Sequence, residues 1–111
     1  MFVRVWEYTV PAEAVDDFVA AYGSDGDWAR LFRQGSGYVG TWLSRDVGAP
    51  GRLLTVDRWD TRTSWQDFLV RFGPAYRALD VRLEHLTSHQ VCVLEGESDG
   101  RSAVDEKPQR T

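Results

Sequence analysis

The chain has little cysteine, no excess of positive charge and no long apolar run. Cys92 is the only cysteine among 111 residues, so neither an internal disulfide nor a cysteine-rich metal cluster can form. The net charge of -4 at pH 7 argues against nucleic-acid binding, which needs a basic surface. No apolar segment approaches the roughly 20 residues of a membrane-spanning helix, so we expect no membrane partner.

The beginning of the chain carries no recognisable secretory signal. Met1 leads directly into a predicted strand, without a basic region followed by an apolar one. A single cysteine also suits a reducing compartment. Together these features predict a cytoplasmic location.

Aromatic residues are plentiful by contrast, with five Trp, four Tyr and five Phe. Large rings dominate both protein cores and small-molecule pockets. Composition alone does not separate these two uses.

Two segments, FVRVWEYTV near the start and SHQVCVLE near the end, carry apolar side chains at both odd and even positions. Side chains alternate along a strand, so Trp6 is predicted on one face of the first segment and Val5 on the other. In the second segment, Cys92 and Leu94 are predicted to share a face. A sheet with one face in water would alternate apolar and polar residues instead. Both faces of this sheet are therefore predicted to be covered.

Periodicity and turn residues predict two helices in the first half, one over 12–22 and a short one over 28–34 capped by Asp27. Two strands over 37–46 and 52–60 follow, and then a helix that is capped by Asp60 or Thr61 and interrupted at Gly73 and Pro74. The order β-α-β-β-α-β is typical of the ferredoxin-like α+β sandwich, a four-stranded antiparallel sheet with helices on one face. We assign residues 1–96 to this domain. Residues 97–111 are polar and predicted to be a flexible tail.

The apolar second face of the sheet has no predicted covering element in one copy of the chain. An exposed patch of that size is unusual for a monomer. A homodimer in which two sheets face each other is the simplest way to bury it.

Three segments resemble the antibiotic biosynthesis monooxygenase (ABM) domains of the dimeric α-β barrel superfamily: VWEYTVPAEAVDDFVAAYGSDGDWARLF, GYVGTWLSRD and LLTVDRWDTRTSWQDF. The resemblance covers about residues 2–95. It implies a homodimer with a cavity between the helices and the sheet of each protomer. It also implies a small-molecule partner, because relatives oxidise phenolic polyketides with dioxygen and without a metal or flavin cofactor. We therefore expect a cofactor-independent monooxygenase for an aromatic or polyketide-like molecule.

Candidate site residues follow from the predicted faces. Arg4 has the same parity as Trp6 on the first strand, and His85 lies near the end of the last helix, so both are candidate catalytic groups. Rings that could line a substrate pocket are Trp6, Trp28, Trp42, Phe68 and Tyr76. Packing of these rings as an ordinary core is the competing interpretation.

Two alternatives remain beside the monooxygenase. One is a non-catalytic small-molecule-binding or accessory protein on the same scaffold. The other, haem degradation, is disfavoured, because the positions that the haem-degrading branch of the family fills with Asn, Trp and His are Trp6, Phe68 and Ala78 in this sequence. His85 and His89 are separated by a predicted helix end and lack a third ligand, so no metal site is predicted.

Overall fold

A computed structural model describes residues 1–98, which form one antiparallel sheet with helices on one face. The elements in chain order are β1 (Phe2–Thr9), a 3-10 turn (Ala12–Ala14), α1 (Val15–Tyr22), α2 (Asp27–Phe32), β2 (Tyr38–Asp46), β3 (Ala49–Trp59), α3 (Arg62–Leu83), a second 3-10 turn (Glu84–Leu86) and β4 (His89–Glu97). The strand order is β2-β3-β1-β4. The predicted ferredoxin-like α+β sandwich is thereby confirmed.

The boundary predicted after residue 96 stays a prediction. The last strand continues to Glu97, one residue further, and the rest of the predicted tail lies outside the described residues apart from Ser98. None of the helices in residues 1–98 combines the length and the apolar character that crossing a membrane requires.

The core lies between the helices and one face of the sheet, and aromatic rings fill most of it. Trp59 of β3, Phe18 of α1 and Phe68 of α3 have essentially no exposed surface. The Trp59 ring lies 5.3 Å from that of Phe68 and 5.7 Å from that of Phe32, in tilted or edge-to-face arrangements. Burying a side chain of this size stabilises the fold by about 1.5–3 kcal/mol. Many of the rings therefore serve the core, as the competing interpretation held.

Two short-range features shape the helices. Thr61 caps α3, because its hydroxyl accepts a hydrogen bond from the Ser64 amide at 3.1 Å. The predicted interruption of this helix is a kink, with non-helical angles at Phe72 just before Gly73 and Pro74. The predicted cap of α2 was wrong, since the helix begins at Asp27 and Gly26 precedes it as the cap residue.

The second face of the sheet is largely apolar and has no covering element within residues 1–98. Exposed fractions on this face are 55% for Trp42, 52% for Leu94 and 40% for Val91. A β-bulge in β4 changes which residues reach this surface. Trp6 pairs with Cys92, whereas its neighbour Val5 pairs with Leu94, so β4 has one extra residue between the two pairs. The extra residue places Cys92 on the helix side and Leu94 on the open side. The prediction that these two residues share a face was therefore wrong.

Candidate active site

A cleft between the helices and the sheet is the candidate active site. It encloses about 420 Å³ out to its mouth, but its walls are close together, and the centre of a water molecule can occupy only about 30 Å³ of it. Its lining residues come from six elements: Arg4, Trp6, Tyr8, Tyr22, Trp28, Phe32, Thr55, Asp57, Tyr76, Asp80 and Gln90. The cleft is therefore narrower than an open pocket, but side chains do not fill it completely.

One wall of the cleft is aromatic. The Trp28 ring lies 5.0 Å from that of Tyr76 and 6.2 Å from that of Tyr22. On the sheet side, the Trp6 ring is stacked against Tyr8 with centroids 6.3 Å apart. Such surfaces suit a flat, largely apolar ligand.

Arg4 supplies a fixed positive charge at the sheet side of the cleft. Its Nε donates a hydrogen bond to a Glu95 carboxylate oxygen at 2.7 Å, and its guanidinium lies 4.3 Å from the centre of the Trp65 ring. Burial alone would lower the pKa of Arg4, but the hydrogen bond to Glu95 and interactions with Tyr76 outweigh it, and the net pKa is raised. Arg4 is therefore a permanent cation that can face an anionic ligand.

Asp57 is the second polar group of the cleft and the most unusual one. It lies opposite Arg4 in the β1–β3 pairing and opposite Thr41 in the β2–β3 pairing, and only 7% of its surface is exposed. Burial raises the pKa of Asp57 from its ordinary 3.8 to about 6, although a hydrogen bond from Thr41 and the charge of Arg4 act in the opposite direction. An acid with such a pKa changes its protonation near neutral pH.

Hydroxyl groups fix the orientation of Asp57. The Thr41 hydroxyl donates to Asp57 Oδ1 at 2.8 Å, and it lies 2.6 Å from the Tyr38 hydroxyl. Because the single Thr41 proton is donated to Asp57, Tyr38 must be the donor to Thr41. The result is a chain of hydroxyls directed toward the carboxylate.

Tyrosines complete the polar edge. The Tyr8 hydroxyl lies 3.2 Å from that of Thr55, and burial raises the pKa of Tyr8 well above its ordinary value. Burial also raises the pKa of Tyr76, against the charge of Arg4 and a hydrogen bond with it. Both phenols are therefore neutral donors at physiological pH.

A family profile described as antibiotic biosynthesis monooxygenase matches residues 1–78, which is more than half of the chain. The chain belongs to this family. No curated protein gives a significant sequence match.

Several solved structures share the fold at low sequence identity. A protein from Deinococcus radiodurans described as an antibiotic biosynthesis monooxygenase is 21% identical, with a TM-score of 0.68 over 92% of this chain and 95% of the other. A NIPSNAP domain protein from Burkholderia xenovorans is 19% identical, with a TM-score of 0.65 over 92% and 99%. SnoaB, a cofactor-independent oxygenase from Streptomyces nogalater, is 17% identical, with a TM-score of 0.60 over 90% and 97%. These likenesses establish the ferredoxin-like fold.

Four of the seven site residues predicted for this ABM protein line the cleft: Arg4, Trp6, Trp28 and Tyr76. Phe68 does not, because it is 1% exposed within the core beneath Trp59. Trp42 was placed on the wrong face. Its neighbour Thr41 points to Asp57, so alternation directs the Trp42 ring outward, where it meets Arg58.

The second candidate catalytic residue, His85, also lies outside the cleft lining. It is exposed in the 3-10 turn after α3, where its Nδ1 lies 3.1 Å from the Arg82 carbonyl oxygen. Within residues 1–98, no group of three His, Cys, Asp or Glu side chains is arranged to hold a metal ion. The structure thus gives His85 an ordinary turn-stabilising contact.

The sequence interpretation missed Asp57, although a signal for it was present. Asp57 and Arg58 are strand neighbours and so point to opposite faces, but their local sequence does not indicate which face Asp57 takes. The antiparallel register between β1 and β3 decides this, because it pairs Asp57 with Arg4. The hairpin turn fixes only the pairing of β2 with β3, so the signal for Asp57 was its position as an acidic residue in the interior of a predicted strand.

Proposed function

We propose that this ABM protein is a cofactor-independent monooxygenase that oxidises a flat phenolic molecule with dioxygen in the cleft. The observation that carries the proposal is the combination of aromatic walls with a buried cation and a buried acid, Arg4 and Asp57, at one edge. Membership of the ABM family supports it. So does the shared fold of SnoaB, which is itself a cofactor-independent oxygenase.

The reaction that suits this site converts a methylene carbon between two aromatic rings into a carbonyl. One atom of dioxygen becomes the carbonyl oxygen, and the other leaves as water with the two methylene hydrogens. The carbon loses four electrons and dioxygen gains four, so no further reductant is needed. An electron-rich substrate first loses a proton, and its anion then reduces dioxygen.

The roles of the residues follow from their positions. Arg4 faces the developing oxyanion and stabilises it electrostatically, which is most effective where water is excluded. Trp6 and Trp28 hold the substrate rings from the sheet side and the helix side, respectively. His85 receives no role, because it does not line the cleft.

Substrate entry requires the walls to separate. Only about 30 Å³ of the cleft can take the centre of a water molecule, which is far too little space for a three-ring substrate. We therefore expect substrate binding to be accompanied by movement of the rings on α2 and α3. This narrowness also favours the second candidate function, a non-catalytic binding protein for smaller ligands.

We also propose a homodimer formed through the open face of the sheet. Apolar side chains dominate its centre, while Glu7 and Arg52 form an ion pair at 2.9 Å toward its edge. An apolar centre with a charged rim is the usual composition of a stable interface. The cleft of each protomer lies on the opposite side of its sheet, so dimerisation leaves it free.

Oxygen uptake with 1,8-dihydroxyanthrone tests the function. The wild type is expected to accelerate uptake and to release the corresponding anthraquinone. Arg4→Met should lower the rate about 100-fold, since one electrostatic donor is lost. Arg71→Met is the matched control, because Arg71 is exposed on α3 away from the cleft. Saturable binding of the compound without any accelerated uptake would favour the binding protein instead.

A further inference from the structure

Asp57 is an energetically unfavourable residue for the middle of a buried strand. Aspartate has low β-propensity, and a buried carboxylate loses much of its hydration. Its neighbour in the pairing, Arg4, directs its hydrogen bond to Glu95 instead. The fold therefore tolerates a costly group at this position without pairing it directly to a cation.

One oxygen of the Asp57 carboxylate is available to a ligand. Thr41 is the only hydrogen-bond donor to Asp57 within residues 1–98, and it occupies Oδ1. The carboxylate lines the cleft, so Oδ2 is left for a molecule bound there. Thr41 and Tyr38, both on β2, hold the other oxygen from the neighbouring strand.

We propose that Asp57 removes the proton from the reacting methylene carbon of the substrate, and that Thr41 is the positioning residue for this step. This inference rests on the proposed function. The C–H bond breaks, its electron pair stays on the substrate, and an O–H bond forms at Asp57 Oδ2. The negative charge is delocalised onto the substrate's carbonyl oxygen, which lies within reach of Arg4 at the same edge.

The charges around Asp57 suit a base that works near neutral pH. The titratable groups that interact with it are Arg4 and Tyr8 from β1, Tyr38 from β2 and Tyr76 from α3. Arg4 is the only cation among them, and the three tyrosines are neutral at this pH. With a pKa of about 6, Asp57 is ionised at pH 7.5 and yet binds a proton about 100-fold more tightly than an ordinary aspartate.

Deuterium exchange separates proton removal from oxygen chemistry. Under anaerobic conditions in D₂O, the wild type should accelerate exchange of the methylene hydrogens of 1,8-dihydroxyanthrone. Asp57→Asn should slow both this exchange and aerobic oxygen uptake by about 100-fold or more, since a general base is lost. Asp67→Asn is the matched control, because Asp67 is exposed on α3, and both rates should remain at the wild-type level.

Thr41→Val tests the positioning role independently of Asp57→Asn. The exchange rate of the wild type should fall as the pH drops through about 6, where Asp57 is protonated. Removing the Thr41 hydroxyl removes a hydrogen bond that lowers the pKa of Asp57, so this fall should move to higher pH. A merely structural role would lower the rate at every pH without moving the profile.

Each outcome has one meaning. Wild-type exchange that Asp57→Asn slows, without any oxygen uptake, would support Asp57 as the base and overturn the monooxygenase. Wild-type exchange and uptake that Asp57→Asn leaves unchanged would overturn the role of Asp57 and leave the monooxygenase standing. Acceleration of neither reaction by the wild type would overturn both.

Discussion

Asp57→Asn should make the protein more stable at neutral pH. Burial raises the pKa of Asp57 from 3.8 to about 6, so the folded protein opposes the ionisation of this group. The free energy of unfolding therefore falls as the pH rises from about 4 to about 6, and it stays lower above that. Asparagine keeps the shape of the side chain, still accepts the Thr41 hydrogen bond and carries no charge.

The shift gives the size of the effect. The rise of the pKa of Asp57 from 3.8 to about 6 corresponds to roughly 3 kcal/mol of destabilisation by the ionised group at pH 7.5. At pH 5, linkage leaves about half of this destabilisation, because most of the folded molecules are then protonated. The advantage of Asp57→Asn over the wild type should thus fall by roughly half between pH 7.5 and pH 5.

Urea unfolding at pH 5, 6 and 7.5 measures this difference at one protein concentration, since oligomerisation would otherwise change the apparent stability. Asp67→Asn should track the wild type at all three values. A gap between Asp57→Asn and the wild type that does not change with pH would refute the reasoning. A variant that gains stability while losing activity would indicate a carboxylate kept for function.

Two further predictions concern the core and the open face. Trp59→Ala should lower the free energy of unfolding by about 3–5 kcal/mol, since it empties a fully buried site. Val81→Ala, on the exposed side of α3, is the control and should change this free energy by less than about 0.5 kcal/mol. Chemical unfolding checks both, and equal effects would contradict the placement of the core. Leu94→Asp places a charge in the proposed interface, so it should sediment as a monomer at micromolar concentration, where we expect the wild type to be a dimer. Its far-UV circular dichroism should be unchanged. A wild type that sediments as a monomer would contradict the interface itself.

The fold was accessible from sequence because its strands and helices carry strong periodic signals. Thr61 is a recognisable cap residue just before α3, and Pro74 marks the interruption that the structure shows as a kink. The side-chain parity of β1 also placed Arg4 and Trp6 on the correct face. These features depend on residues close together in the chain.

The sequence predictions were wrong where the face of the sheet that a side chain takes depends on pairing with a strand that is distant in the chain. Both faces of this sheet are apolar, so hydrophobicity did not distinguish inward from outward positions for Trp42. The bulge between Cys92 and Leu94 reverses the alternation and has no clear signature in the sequence. Asp57 was missed for a related reason, because only the register with β1 brings it next to Arg4.

The kink in α3 divides the helix into two arms with different attachments. The first arm is anchored in the core by Trp65 and Phe68, and the second by Leu79 and Leu83, with Tyr76 over the cleft. Pro74 has no amide hydrogen, so the carbonyl of Val70 lacks the hydrogen bond that it would accept in a regular helix. The joint is therefore the point along α3 where a small change of angle, which would move Tyr76 relative to the cleft, meets the least resistance from backbone hydrogen bonds.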